Sequence, residues 1–387
     1  MSTFIESEER QELRKAVAAL AKSYGQDYFV GKARSGEKTS DMWLALGKNG
    51  YLGVNLPEQY GGGGGGIGDV AAVCEELAAQ GCPMLMMVVS PAICGQVIAK
   101  YGTEEQKQRW VPGIADGTET MAFAITEPDA GSNSHKITTT ARRDGSDWIL
   151  KGRKIYISGV DEAKNVLVVA RTEDQKSGTL KPCLFVVPTD AAGFEYQPIA
   201  MEMVSPEKQF TVFIDDVRVP GDALVGDEDA GIVQLFAGLN PERIMAASFA
   251  TGIARFALEK ASAYAKERSV FRDTPIGAHQ AIAHPLAEAH IETELARLMT
   301  QKAAALVDAG DDGAAGEAAN IAKYAAAEAA CNAVDRAIQT HGGNGATQEY
   351  GMAALLVATR VMRIAPVSKE MILNFVAMHS LGLPKSY

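Results

Sequence analysis

The stretch "MAFAITE", residues 121 to 127, decides the fold. It is short, apolar and β-prone, and it stands where the spacing of apolar residues changes from a helical period to a strand period. Upstream, in "SEERQELRKAVAALAKSY", Leu13, Val17, Leu20 and Tyr24 share one helix face, and Ser7 or Glu8 can open the first turn. "SDMWLALGKNG" offers Ser40 or Asp41 as a cap and Gly47 as a stop, and "GDVAAVCEELAAQG" repeats the pattern from Asp69 to Gly81. Downstream, "KITTTARR", "DWILKGRKIYIS", "NVLVVART", "PCLFVVP" and "FTVFIDDVRV" are rich in β-branched and aromatic residues. Turn chemistry such as Asp144-Gly145 and Pro188-Thr189-Asp190 separates them. Beyond about residue 228 the chain is helical again and rich in alanine, as in "AGEAANIAKYAAAEAACNAVDRAIQ", which lets helices approach closely. The reading is an α+β multidomain chain. An N-terminal helical domain (1–118) precedes a middle antiparallel β-barrel or sandwich domain (119–227), and a C-terminal helical bundle (228–387) follows.

Composition excludes several function classes. With 387 residues, 47% hydrophobic and 22% charged, the chain reads as globular, and its net charge of -11 is scattered rather than blocked. A nucleic-acid or anionic-membrane surface is not expected from that balance. The five cysteines, Cys74, Cys82, Cys94, Cys183 and Cys331, form no CxxC pair, so neither a disulfide framework nor a zinc site is expected. The N-terminus lacks an apolar signal core and no apolar run approaches the roughly 20 residues of a membrane span, so a cytoplasmic location is expected.

The most conspicuous segment, "GGGGGG" at 61 to 66, could be a phosphate cradle at a helix start. No strand of dinucleotide-binding type precedes it, no Lys-Ser/Thr follows it, and Asp69 would repel phosphate, so a surface loop is the better reading. His279, His284 and His290 lie five and six apart and do not share a helix face as a metal pair would; no metal is expected. No GxSxG elbow supports a hydrolase. "AITEPDAGSN", residues 124 to 133, is different: a strand leads into a tight turn that presents Ser132 and Asn133. Its hydroxyls and main-chain N–H groups could hold an anion or a heteroaromatic edge, and a plain polar turn is the alternative.

Five segments in order resemble the acyl-CoA dehydrogenase family of flavoenzymes across nearly the whole chain. They are "LPEQYGG" (56–62), "AITEPDAGSN" (124–133), "LKGRKIYISG" (150–159), "ERSVFRDTPIGAHQAI" (267–282) and "QTHGGNGATQEY" (339–350). The resemblance implies a homotetramer of helical, β and four-helix-bundle domains, with FAD between the β domain and the C-terminal helices. It places the main chain of Ala124 to Thr126 and the hydroxyls of Thr126 and Ser132 on the flavin and pyrophosphate. Tyr156 would flank the flavin where the family usually has Trp, and Ser158, where it has Thr, would reach N5. Arg268, Phe271 and Gln280 would hold the ADP half of a neighbouring subunit's FAD, with Gln339, Gly342 and Gly343 completing that site. Ser368 and Glu370 align near the cofactor. The implied reaction is α,β-desaturation of an acyl-CoA thioester in fatty acid β-oxidation, with electrons passing to an electron-transfer flavoprotein.

Most of the family places its base in a segment of the form I-Y-E-G-T-S-Q, whose match here is "IAPVSKE" (364–370), so the glutamate position holds Pro366. Proline can neither take the proton nor offer the N–H that polarises the thioester carbonyl in the family, and one such donor is worth about 2.7–4 kcal/mol of barrier. A smaller group, including isovaleryl-CoA and long-chain enzymes, takes its base from a Glu-Arg pair on another helix, which matches Glu242-Arg243. By the same resemblance Arg243 contacts CoA, and Asn240 stands where a CoA-binding aspartate often lies. Local chemistry has its own explanation of "LNPER": Asn240 as N-cap, Pro241 at the first helical position, and Glu242 favoured by the helix dipole by ~0.5 kcal/mol. The expectation is Glu242 as the catalytic base. An oxygen-using acyl-CoA oxidase or flavin monooxygenase, and a catalytically silent FAD- or CoA-binding homologue, are the alternatives.

Overall fold

A computed structural model describes residues 6–173, 180–228, 231–271 and 273–385. The N-terminal part is helical: α1 (Glu8–Ser35), α2 (Ser40–Lys48), α3 (Ile67–Ala79), α4 (Met86–Val89), α5 (Gln96–Tyr101) and α6 (Glu104–Asp116), with a π-helical turn over Ser90–Gly95. Ser7 caps α1 by accepting from the Arg10 main-chain N–H. Gly47 does not stop α2, which runs on to Lys48. A Cβ there would lie 1.9 Å from the Asp116 carbonyl oxygen, so glycine serves close approach to the end of α6. Gly47→Ala is expected to lower stability by at least the ~1–3 kcal/mol typical of overpacking, read as a drop in urea midpoint.

The middle part is one sheet: β1 (Met121–Ala124), β2 (Thr140–Asp144), β3 (Asp147–Ser158), β4 (Asn165–Glu173), β5 (Leu180–Pro188), β6 (Phe194–Ile199), β7 (Gln209–Val219) and β8 (Leu224–Val225). Its order is β6-β7-β3-β2-β4-β5-β8, with β1 beside β4. Most pairs are antiparallel as expected, but β1 pairs parallel with β4, and β2 touches β4 in parallel as well. "KITTTARR" yields a strand only from Thr140: Lys136 ends a 3-10 turn that starts at Ser134, and the N–H groups of Thr138 and Thr139 donate to the Glu127 carboxylate rather than to a neighbouring strand.

Strand parity explains why β4 and β5 read as continuous apolar runs. Val166, Val168, Cys183, Phe185 and Val187 face the inner core of the β part with Trp148 and Phe210. The alternating Leu167, Val169, Leu184 and Val186 face a second core shared with the helices. Against that face lies α7 (Gly231–Glu267), and α8 (Gln280–Asp308) and α9 (Asp312–His341) pack on α7 and on each other; the short α10 (Leu356–Met362) and α11 (Lys369–Phe375) close the chain, and β9 (Ser269–Phe271) and β10 (Thr274–Pro275) form a small hairpin after α7. Alanines of α9, among them Ala319, Ala322, Ala326, Ala330 and Ala333, are fully or almost fully buried, so its close packing follows from small side chains.

A buried ionic cluster ties four helices. Arg14 of α1 reaches Glu75 and Glu76 of α3 at 2.9 and 2.8 Å, and Arg255 of α7 and Arg297 of α8 reach Glu75 at 2.6 and 2.7 Å. The hexaglycine segment is likewise internal business. The N–H groups of Ile67 and Gly68 at the start of α3 donate to Asp308 at 2.6 and 3.0 Å, and Gly66 donates to Asp69 at 2.9 Å. The protein's own carboxylates take the donors that a phosphate would need. Among the described residues, no helix is long and apolar enough to cross a membrane.

Candidate active site

Three elements converge where the sheet meets the helices: the loop leaving β1, the end of β3, and α7. The loop is held by a buried ion pair. Lys154 is fully buried, and its ammonium donates to Glu127 at 2.9 Å and to the Ile125 carbonyl at 3.0 Å. Glu127 also accepts from the main chain and hydroxyl of Thr138 (2.6 and 2.8 Å) and of Thr139 (2.9 and 2.6 Å). Burial alone would raise this carboxyl, but the Lys154 charge and the threonine donors outweigh it and hold Glu127 at about 2. The segment from Ala124 to Ser132 is therefore pinned at its centre. Ala124 is buried at the end of β1, the Thr126 carbonyl accepts from Ile155 N–H at 2.9 Å, and Ser132 stands exposed.

On β3 the ladder to β7 slips between Lys154 and Ile157, and Tyr156 in that bulge has φ 59°. A left-handed aromatic residue is strained, and bulges re-aim side chains. The Tyr156 ring is thrown outward, 56% exposed, beside the pinned loop. Ser158 exchanges hydrogen bonds with the Gln209 side chain at 3.0 and 2.9 Å, which orients its hydroxyl.

Glu242 requires a correction. Its helix begins at Gly231, so Asn240, Pro241 and Glu242 lie about three turns inside α7 rather than at its start. Asn240 does not cap; its side-chain oxygen accepts from Arg243 at 2.7 Å. The capping explanation of Glu242 is thereby removed. Glu242 is half-buried as a residue, and protein packs closely around its carboxyl group. Among the described residues no hydrogen bond or ion pair reaches it. Burial raises it to about 7, against the opposing pull of Arg243 and Lys323. Burial pushes the thiol of Cys94, in the π-helical turn, well up, and the nearby Glu242 charge adds to that shift.

Lys323 of α9 went unnoticed at the sequence level. It is 1% exposed and donates to the Val367 carbonyl at 2.5 Å, which brings the Pro366 loop to the Glu242 side. In that loop Ser368 caps α11 by accepting from Met371 N–H at 3.3 Å, and Glu370 is exposed in its first turn. The remaining predicted residues lie elsewhere. Arg268, Phe271 and Gln280 are exposed around the β9–β10 hairpin. Gln339, Gly342 and Gly343 sit beside them, since Asn344 donates to the Tyr264 hydroxyl at 3.1 Å and the His341 ring lies 4.4 Å from that of Tyr264. A Cβ on Gly343 would meet nothing within 4 Å, so nothing inside the chain requires glycine there and the main chain is open to an outside ligand. Between Glu242 and Arg268 the helix rises roughly 39 Å, taking 26 residues at about 1.5 Å each.

Family models for the acyl-CoA dehydrogenase N-terminal, middle and C-terminal domains match residues 7–118, 122–217 and 229–381. The chain belongs to the acyl-CoA dehydrogenase family. Acyl-CoA dehydrogenase FadE12 of Mycobacterium tuberculosis is 67% identical over 386 residues, covering 100% of this chain and 99% of the relative. The mitochondrial long-chain specific acyl-CoA dehydrogenase of Sus scrofa is 33% identical over 347 residues, covering 89% and 80%. The structure of a glutaryl-CoA dehydrogenase from Mycobacterium smegmatis in complex with FADH2 superposes with a TM-score of 0.90 at 27% identity, covering 100% of this chain and 97% of that one. This acyl-CoA dehydrogenase-family chain is thus an oxidoreductase of the FAD-dependent type. Two of its unforeseen site residues carried signals. Lys154 shares the inward parity of Trp148 and Leu150 on β3, and Lys323 is a lone cation among buried alanines.

Proposed function

We propose that the protein desaturates an acyl-CoA thioester at its α,β-bond with FAD as hydride acceptor, Glu242 removing the α-proton. The observation that carries this reading is the Glu242 carboxylate: enclosed, without a hydrogen-bond partner among the described residues, poised near neutral pH, and in a helix interior where capping gives it no use. Pro366 leaves the other seat of the base empty, and Glu242 is the carboxylate that remains.

The residues present fit FAD. The pinned loop offers the Ala124–Thr126 main chain and the Thr126 and Ser132 hydroxyls to flavin and pyrophosphate, while Tyr156 gives its ring and Ser158 an oriented hydroxyl. When bound, FAD accepts the β-hydrogen as hydride. Arg243 and Asn240, joined by their hydrogen bond, face CoA. Arg268, Phe271, Gln280, Gln339, Gly342 and Gly343, with Ser368 and Glu370 near the cofactor, serve an FAD shared between subunits. The roughly 39 Å along α7 supports this division, because one protomer's Glu242 and Arg268 ends are too far apart to grip one cofactor closely. Exposed Phe271 (73%) and the exposed stripe Ile291, Leu295 and Leu298 on α8 support a homo-oligomer, which we take to be a tetramer. Electrons then pass to an electron-transfer flavoprotein. Five free cysteines suit the reducing cytoplasm.

The test is anaerobic mixing of the FAD-loaded protein with a panel of straight and branched acyl-CoAs. At least one member of the panel is expected to bleach the flavin. Failure of all of them, with FAD demonstrably bound, would favour a silent homologue.

A further inference from the structure

The site contains a second buried charge that the reaction as stated does not use. Lys323 projects from α9 into the protein interior, and its one acceptor among the described residues is the Val367 carbonyl. Burying an ammonium against a single neutral acceptor is unfavourable unless its charge is met elsewhere. Four charged groups face it: Glu242 and Arg243 from α7, Glu328 from its own helix, and Glu370 from α11. Glu328 is already engaged by Arg363 at 2.9 Å and Lys369 at 3.2 Å, and Glu370 is exposed. Arg243 repels it. Glu242 is the anion left uncommitted on the buried side.

We infer that Lys323 is a positioning residue for this chemistry: from α9 its ammonium fixes the main chain of the Pro366 loop and offsets the charge of the Glu242 base. The inference rests on the reading of Glu242 as that base. The loop has particular need of such a tie. Main-chain bonds from Ala365 N–H to the Val361 carbonyl and from Lys369 N–H to the Arg363 carbonyl close the loop on either side, but Pro366 has no N–H to donate between them, and there the Lys323 ammonium holds the adjacent Val367 carbonyl. Lys323 thereby places the loop and the base in register from a third element. Arginine in its place would keep the charge, but a planar fork does not reproduce a single ammonium donor at 2.5 Å.

The experiment is the pH profile of anaerobic flavin reduction by an acyl-CoA, for the wild-type protein, Lys323→Met and Lys323→Arg, each with its FAD content measured. The wild-type profile is expected to rise through about 7, where burial places Glu242, and to fall through about 8, where burial and Arg243 place Lys323. With the positive charge gone, Glu242 ionises less readily, so Lys323→Met should move the acid limb upward by roughly half a unit or more. Lys323→Arg should return the acid limb to its wild-type position and abolish the alkaline limb, because guanidinium does not titrate there. A Lys323→Met profile with both limbs unmoved overturns the inference. If that variant fails to retain FAD, an alkaline limb that persists in Lys323→Arg overturns it instead. Undiminished activity of Glu242→Gln would count against the base assignment rather than against the tie between Lys323 and the loop, which the Lys323→Met plateau rate reads separately.

Discussion

Glu242→Gln is expected to slow flavin reduction by roughly 10²–10⁴-fold, the range of a positioned general base, while the protein folds and retains FAD. Glutamine keeps the size of the side chain and removes the proton acceptor. Stability should hold steady or rise, because the variant deletes an enclosed carboxylate that no hydrogen bond among the described residues satisfies. That pairing of outcomes separates a base from a structural glutamate, since loss of a capping or ion-paired side chain would lower the thermal midpoint. The wild-type pH dependence carries the same sign. A base must be ionised to act, and burial raises Glu242 to about 7, so the rate should fall as pH drops through that value. Stopped-flow bleaching at several pH values, beside thermal melts of both proteins, checks each part. A glutamine variant that bleaches at the wild-type rate would remove Glu242 from the mechanism.

The sequence made the architecture legible because its periods are clean. Leu13, Val17, Leu20 and Tyr24 lie along α1, and the turn at Asp144-Gly145 joins β2 to β3, as read. Parallel pairing of β1 with β4 was not legible, since strand order depends on contacts some 40 residues apart and leaves no local mark. At Asn240-Pro241-Glu242 local chemistry misled outright. These are favoured residue types for a helix start, yet α7 had already begun at Gly231, and tertiary packing kept proline inside the helix. Lys154 and Lys323 were overlooked for a related reason. Charged residues are almost never fully buried without a partner, so a lysine reads by default as surface, and its partner lies 27 residues away in Glu127 or 44 away in Val367. The parity of β3 would have exposed the first. The second was marked only as a lone cation on an alanine-rich helix, and its acceptor depends on the position of the Pro366 loop, which no local pattern supplies.

Lys154→Met is expected to have the largest effect on stability and on cofactor retention together. Removing one partner of a buried pair leaves Glu127 charged in a site built for an ammonium, and such breaks cost about 3–5 kcal/mol. Methionine fills much of the space, so lost packing contributes little and the unpaired carboxylate dominates. Because Lys154 also holds the Ile125 carbonyl, the segment from Ala124 to Ser132 loses its central anchor, and FAD should wash out on gel filtration at concentrations where the wild type keeps it. The acid limb of stability gives a signed check. Glu127 lies below its ordinary value when folded, so its contribution is present above the unfolded carboxylate range and disappears as pH falls through about 2. Without Lys154 that folded value rises, and acid unfolding should begin at higher pH. A double variant carrying Glu127→Gln as well should be less destabilised than the two single variants sum to, because no buried charge then stands alone. If Lys154→Met keeps its FAD and its acid midpoint, the ion pair does not hold the loop, and the threonine donors around Glu127 must suffice without it.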